Sequence, residues 1–222
     1  MGFAVSSNPA TVGEGLTLQL NAASLLDDGS QTAVNPATVT WSIVSGPITS
    51  ISPSGLLTAG IVYQDTAGIF RGSFGGFPGT SALIISNTNI DDLGVYAGDL
   101  IDDAWQVQYF GANNPLGAAT ADADGTGQNN LFKYVAGLNP LDGSGFLVQA
   151  QPVAGQPGQK NIVFSPRFPD RNYVVQFSTD LTPNNWQNLS NLSTADSGTQ
   201  RIVTDLAAGT GHRFYRVMVT KP

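Results

Sequence analysis

The sequence predicts a mainly β protein: two β-sandwiches joined by a short two-helix connector. Three observations lead there. The 222 residues include 26 glycines and 13 prolines spread along the chain, as turns between many short strands require. Two long stretches, residues 1–90 and 143–222, place apolar residues at every second position, the period of a half-buried strand. Between them, residues 91–142 change to helical spacing.

In the first stretch, Phe3 and Val5 alternate with Ala4 and Ser6 ahead of Asn8-Pro9. Residues 1–7 have two readings. They are either the first strand of their own sandwich, or an assembly strand that adds Phe3 and Val5 to the sheet edge of a neighbouring copy. Leu16, Leu18 and Leu20 alternate with Thr17, Gln19 and Asn21, and Val39, Trp41 and Ile43 with Thr40 and Ser42. Leu56 and Leu57 follow a Ser52-Pro53-Ser54-Gly55 turn. Ile69–Phe74 reads as a strand ended by Gly75-Gly76-Phe77-Pro78-Gly79, and residues 81–86 close the set.

In the connector, Ile101, Ala104, Trp105, Gln108 and Tyr109 form a helical stripe, with Asp99, Asp102 and Asp103 at its front end, where carboxylates favour a helix. Gly111 and Asn113-Asn114-Pro115 end it. A second helix is expected from about Gln128 to Ala136, with Leu131, Tyr134, Val135 and Leu138 on one face. In the last stretch, strands are expected over 146–149, 161–165, 173–178, 186–189, 201–205 and 213–219, with Pro183-Asn184-Asn185 as a turn before Trp186.

Composition narrows the function classes. Sixteen acidic residues against nine basic ones give a net charge of −7, which offers no basic patch to nucleic acid or anionic membrane. No apolar run reaches the roughly 20 residues of a membrane span. There is no cysteine, so disulfides, thiolate metal sites and cysteine nucleophiles are excluded. The start, Met1–Val5, lacks the basic and apolar regions of a signal peptide, so either the protein is cytosolic or the sequence is a mature or trimmed form. His212 is the single histidine, and no Gly-x-Ser-x-Gly elbow occurs. A non-enzymatic protein is expected.

The most distinctive stretch is Asp122–Tyr134. Counted from Asp122 on the 12-residue plan of a calcium loop, oxygen donors fall on Asp122, Asp124, Thr126, the Gln128 carbonyl and Asn130. Gly127 falls where that loop turns sharply. Position 5 is Thr126 instead of an acid, and position 12 is Lys133 instead of a bidentate glutamate. The Lys133 ammonium repels a cation unless it points away, and Asp102 or Asp103 would then have to complete the shell. Calcium and a metal-free capped turn both remain open at this point.

Several segments resemble known families. Val39–Gly46 followed by Ile51–Gly60 resembles the bacterial immunoglobulin-like domains of surface proteins. The Asp122 loop is similar to those of dockerins and thrombospondin type 3 repeats. Asp103-Ala104-Trp105, Tyr109-Phe110-Gly111 and Asn130–Pro140 resemble a linker of bacterial surface proteins, and Tyr173–Leu181 with Phe214–Val217 the β-sandwich that follows it. These resemblances imply an extracellular or cell-surface location and a structural calcium.

The expected function is a structural subunit that assembles with copies of itself into a fibre, filament or surface layer. Few charges and many Ser, Thr, Asn and Gly residues suit such packing. The alternative is an adhesin or carbohydrate-binding module, partnered by glycans or other surface proteins, with Trp186 as the stacking platform. Asn188-Leu189-Ser190 and Asn191-Leu192-Ser193 match glycosylation sequons.

Overall fold

The computed structural model describes residues 2–183 and 185–222. The chain is mainly β with two α-helices, and it divides into two compact units, one ending at Pro115 and one starting at Leu116. The division falls inside the helical segment, with one helix in each unit.

The first unit begins with β1 (Gly2–Ser7), β2 (Thr11–Gly13), β3 (Thr17–Leu25), β4 (Gln31–Val34) and β5 (Thr40–Ser45). It continues with β6 (Ile48–Ile51), β7 (Leu56–Ala59), β8 (Thr66–Phe74) and β9 (Phe77–Ser86). One sheet runs β1-β3-β7-β6 with β4 also on β3, and the other β2-β9-β8-β5. Leu20 and Leu57 from the first sheet and Phe70 and Ile85 from the second are completely buried in one core. Each such burial stabilises by about 1.5–3 kcal/mol. Trp41 packs on this core and donates its indole N–H to the Pro36 carbonyl at 2.9 Å.

β1 pairs antiparallel with β3 of the same chain, Gly2 opposite Leu25 through Ser7 opposite Leu20. Phe3 and Val5 are accordingly buried in their own sandwich. Two details differ from the sequence expectation. Ile43 is exposed although it stands in register opposite the buried Phe70, and the bulge in β5 comes only after it. The strand does end at Phe74, but not all of 75–79 is turn. Only Gly75 and Gly76, both at positive φ, form the turn, and Phe77, Pro78 and Gly79 pair back onto Phe74, Ser73 and Gly72.

Helix α1 (Asp103–Phe110) closes the first unit. Its buried residues are Asp103 and Gln106, not the apolar stripe read from the sequence, and Gln108 is exposed. The reason lies in the loop before it. Its Asp92 and Leu93 N–H groups donate to the Asp103 carboxylate, and its Asp99 carboxylate accepts from the Gln106 amide, so the inward positions are polar.

The second unit holds α2 (Asn130–Ala136), β10 (Leu147–Val153), β11 (Gln156–Ser165), β12 (Asn172–Ser178), β13 (Gln187–Asn188), β14 (Leu192–Ser197), β15 (Gln200–Asp205) and β16 (Phe214–Thr220). The sheets are β10-β11-β15-β14 and β13-β12-β16. Ile162, Phe164 and Val203 from the first and Val175 from the second share a core with Ala136 and Leu138 at the end of α2. Strand β14 was not read from the sequence. Its residues, Leu-Ser-Thr-Ala-Asp-Ser, have no apolar alternation because all six are exposed. The turn at 183–185 includes residue 184, which lies outside the described residues.

Candidate functional site

The Asp122–Lys133 segment is built by its own carboxylates. Thr126 N–H donates to Asp122 Oδ1 at 3.1 Å and Gly127 N–H to Asp122 Oδ2 at 2.7 Å. Thr126 also donates its hydroxyl to Asp124 Oδ1 at 2.9 Å, and Gly143 N–H donates to Asp124 Oδ2 at 2.9 Å. Asn129 caps α2 by accepting from Phe132 N–H at 2.9 Å.

Lys133 does not turn away. Its side chain is completely buried, and Nζ donates to Asp124 Oδ2 inside the loop. Burial alone would raise the Asp124 carboxyl; the bond from Lys133 and those from Thr126 and Gly143 outweigh it and hold it at about 2. Gln128 turns to the following strand, its amide donating to the Phe146 carbonyl at 2.9 Å and accepting from Phe146 N–H at 2.8 Å. Asn130 is fully buried and points the other way, donating to the carbonyls of Leu116 at 2.8 Å and Ala118 at 3.0 Å. Thr126 ties the Asp122 and Asp124 carboxylates together, and the Asn130 Oδ1 oxygen, the expected donor at position 9, is buried without a hydrogen-bond partner. The Lys133 ammonium places a positive charge directly on the Asp124 carboxylate.

Asp102 and Asp103 lie in the first unit and are engaged there. Asp102 caps α1 through Ala104 N–H at 2.8 Å. Asp103 is fully buried, with Oδ2 accepting from Asp92 N–H at 2.7 Å and Leu93 N–H at 2.8 Å. Asp91 accepts from Gly98, Asp99 and Leu100 N–H groups. Oδ1 of Asp92 and Oδ1 of Asp103 are buried without a hydrogen-bond partner, and burial raises both carboxyls. Among the described residues, no three histidine, aspartate or glutamate side chains gather as a metal cluster.

Trp186 is half-buried, and the Arg216 guanidinium lies 4.4 Å from the centre of its ring. Arg216 is held there by donating to Gln176 Oε1 at 2.8 Å. One face of the indole is therefore covered. His212 is exposed in the turn before β16. An apolar cleft of about 440 Å³ opens at one end of the first sandwich, lined by Phe3, Leu26, Phe74 and Phe77 among others. Among the described residues its lining carries no acidic or basic side chain.

Sequence reasoning missed the two open edges of the β10-β11-β15-β14 sheet. Leu147–Gln151 of β10 and all six residues of β14 are exposed, with Leu147 at 63% and Val148 at 40%. Among the described residues no further strand pairs with either edge. β10 carries no charged residue. The one charge on β14, Asp196, is held by Arg201 at 2.7 and 2.8 Å. Pro152 guards only the hairpin end of β10. The detectable signal was the uncharged run Leu147–Val153.

No family model matches this chain, and no curated protein matches it.

Proposed function

We propose that the protein is a structural subunit that adds to copies of itself through the β10 and β14 edges, outside the cell or on its surface as the surface-protein resemblance implies. The observation that carries this is the pair of open, nearly uncharged edges on one sheet. An unpaired edge presents a row of backbone N–H and C=O groups that another strand satisfies. Natural sheets block such edges with lysine, proline or a covering loop, and β10 has only Pro152.

The topology gives the join its direction. Neighbours in the sheet are antiparallel throughout, so β10 and β14 run in opposite senses. A copy added in the same orientation thus lays its β10 antiparallel against β14. The contact is head-to-tail, leaves a free edge at each end, and generates an open filament. Four strands per copy set a rise of about 19 Å at about 4.8 Å per strand. Strand twist adds a rotation of roughly 80–100° per copy.

The glycan-binding alternative has less support, because Arg216 occupies one face of Trp186 where a sugar ring would stack.

Negative-stain imaging of the purified chain tests the proposal, with Gln149→Lys/Thr194→Lys placing like charges on both edges. The expected result is filaments from the natural chain and monomers of unchanged melting temperature from the variant. A natural chain that stays monomeric at every concentration, or filaments that persist in the double variant, would sink it.

A further inference from the structure

We propose that the Lys133 ammonium is a built-in replacement for a bound cation, and that the Asp122–Lys133 loop holds its form without metal. Three observations carry this. The loop has the length, the turn glycine and the first two carboxylates of a calcium loop, with a helix starting where that plan requires one. Its twelfth residue, where a calcium loop supplies two carboxylate oxygens, supplies a cation instead. That cation is completely buried and bonds Asp124, the residue at position 3.

The charges agree with the exchange. Acids at positions 1, 3, 5 and 12 would give the loop a formal charge of −4, which a divalent ion reduces to −2. Asp122, Asp124 and Lys133 leave −1 in this chain, so no ion is needed to relieve repulsion. Thr126 at position 5 supports the same arrangement. Its hydroxyl donates to Asp124 Oδ1, a bond that an acid there would replace with like-charge repulsion.

Geometry explains how a lysine fits. Residue 133 lies on the first turns of α2, one helical turn past the Asn129 cap, so its side chain points back toward the helix start and into the loop. The long methylene stem fills the interior while Nζ reaches Asp124. Gly143 N–H completes Asp124 Oδ2, tying the loop to the chain beyond α2. The loop thus closes on itself through an internal ion pair. This inference does not depend on filament formation.

The test compares the natural chain with Thr126→Asp/Lys133→Glu, which restores acids at positions 5 and 12. Binding is read by calorimetric titration with calcium and with magnesium, and stability by thermal melting with calcium or chelator. The natural chain should take up no calcium and melt at one temperature in both. The double variant should melt lower in chelator, recover with calcium more than with magnesium, and bind calcium roughly tenfold or more tighter than the natural chain. Calcium uptake by the natural chain, or a calcium-dependent rise in its melting temperature, overturns the proposal. A folded double variant that ignores calcium overturns it as well. Should the double variant fail to fold, Lys133→Gln supplies a neutral oxygen at the same position. Calcium-dependent melting of that variant supports the exchange, and the titration of the natural chain decides the matter in any case.

Discussion

Gly72 and Gly79 face each other across β8 and β9, and the room left by their two missing side chains is taken by β1. A Cβ on Gly72 would stand 2.7 Å from Val5 Cγ1 and 2.8 Å from Val39 Cγ1; one on Gly79 would stand 2.9 Å from the Phe3 carbonyl oxygen. Gly72→Ala should therefore cost about 1–3 kcal/mol by overpacking. Val5→Ala in the same chain should return part of that loss, because it removes the clashing methyl. Urea denaturation of the two single variants and the double variant measures the coupling; strictly additive effects would contradict the contact.

Glu14 is buried, and its carboxylate accepts from Val62 N–H at 2.9 Å, Thr88 N–H at 2.6 Å and Asn89 N–H at 2.8 Å. Burial raises this carboxyl, but the three backbone donors outweigh it and hold it below the usual range. The folded pKa is below the unfolded one. The stability it contributes is therefore complete above the unfolded value, near 4.5, and is lost as pH falls through the folded value. Glu14→Gln should cost about 1.5–3 kcal/mol at neutral pH and flatten the loss of stability on acidification. Equal acid sensitivity in the two chains would refute this.

Asp103 has the opposite sign. Burial, with Asp91 and Asp102 nearby, lifts its carboxyl above the usual value, although Asp92 and Leu93 N–H groups pull it down. Its charged form is the disfavoured one in the fold, so this group lowers stability as pH rises past its unfolded value. Asp103→Asn keeps an acceptor for both N–H groups and removes the charge. Its stability deficit relative to the natural chain should be smaller at neutral pH than at pH below about 4, near the unfolded carboxyl range. Denaturation midpoints at the two pH values read the difference.

Asp205 is completely buried and accepts from Arg213 at 2.7 Å and Tyr215 Oη at 2.9 Å on one oxygen, and from Ala207 N–H at 2.9 Å on the other. Burial and this carboxylate push the Tyr215 phenol well above its ordinary value. Asp205→Ala leaves the phenol and the guanidinium without their acceptor and should cost about 3–5 kcal/mol. It should also bring the Tyr215 titration back toward the ordinary phenol range, readable by ultraviolet absorbance. An unmoved titration would show that burial alone sets it.

Arg216 covers one face of Trp186. Arg216→Ala should expose the indole, shift its emission to the red and raise quenching by iodide. Unchanged quenching would mean that the guanidinium does not shield the ring.

The sequence by itself determined the elements whose burial is local and periodic. Leu18, Leu20 and Ala22 on β3, and Val175 on β12, write their inward faces into a two-residue period. Gly111 and Gly137 end the helices because each sits at positive φ past the last turn. The tertiary structure alone decided where polar side chains went. Nothing in the order of residues says that Lys133 turns inward to Asp124, that Asp103 and Gln106 are the buried face of α1, or that polar β14 joins a sheet. Apolar residues advertise burial through their own hydration, residue by residue. A buried charge is set by the partner that compensates it, and that partner comes from another part of the chain.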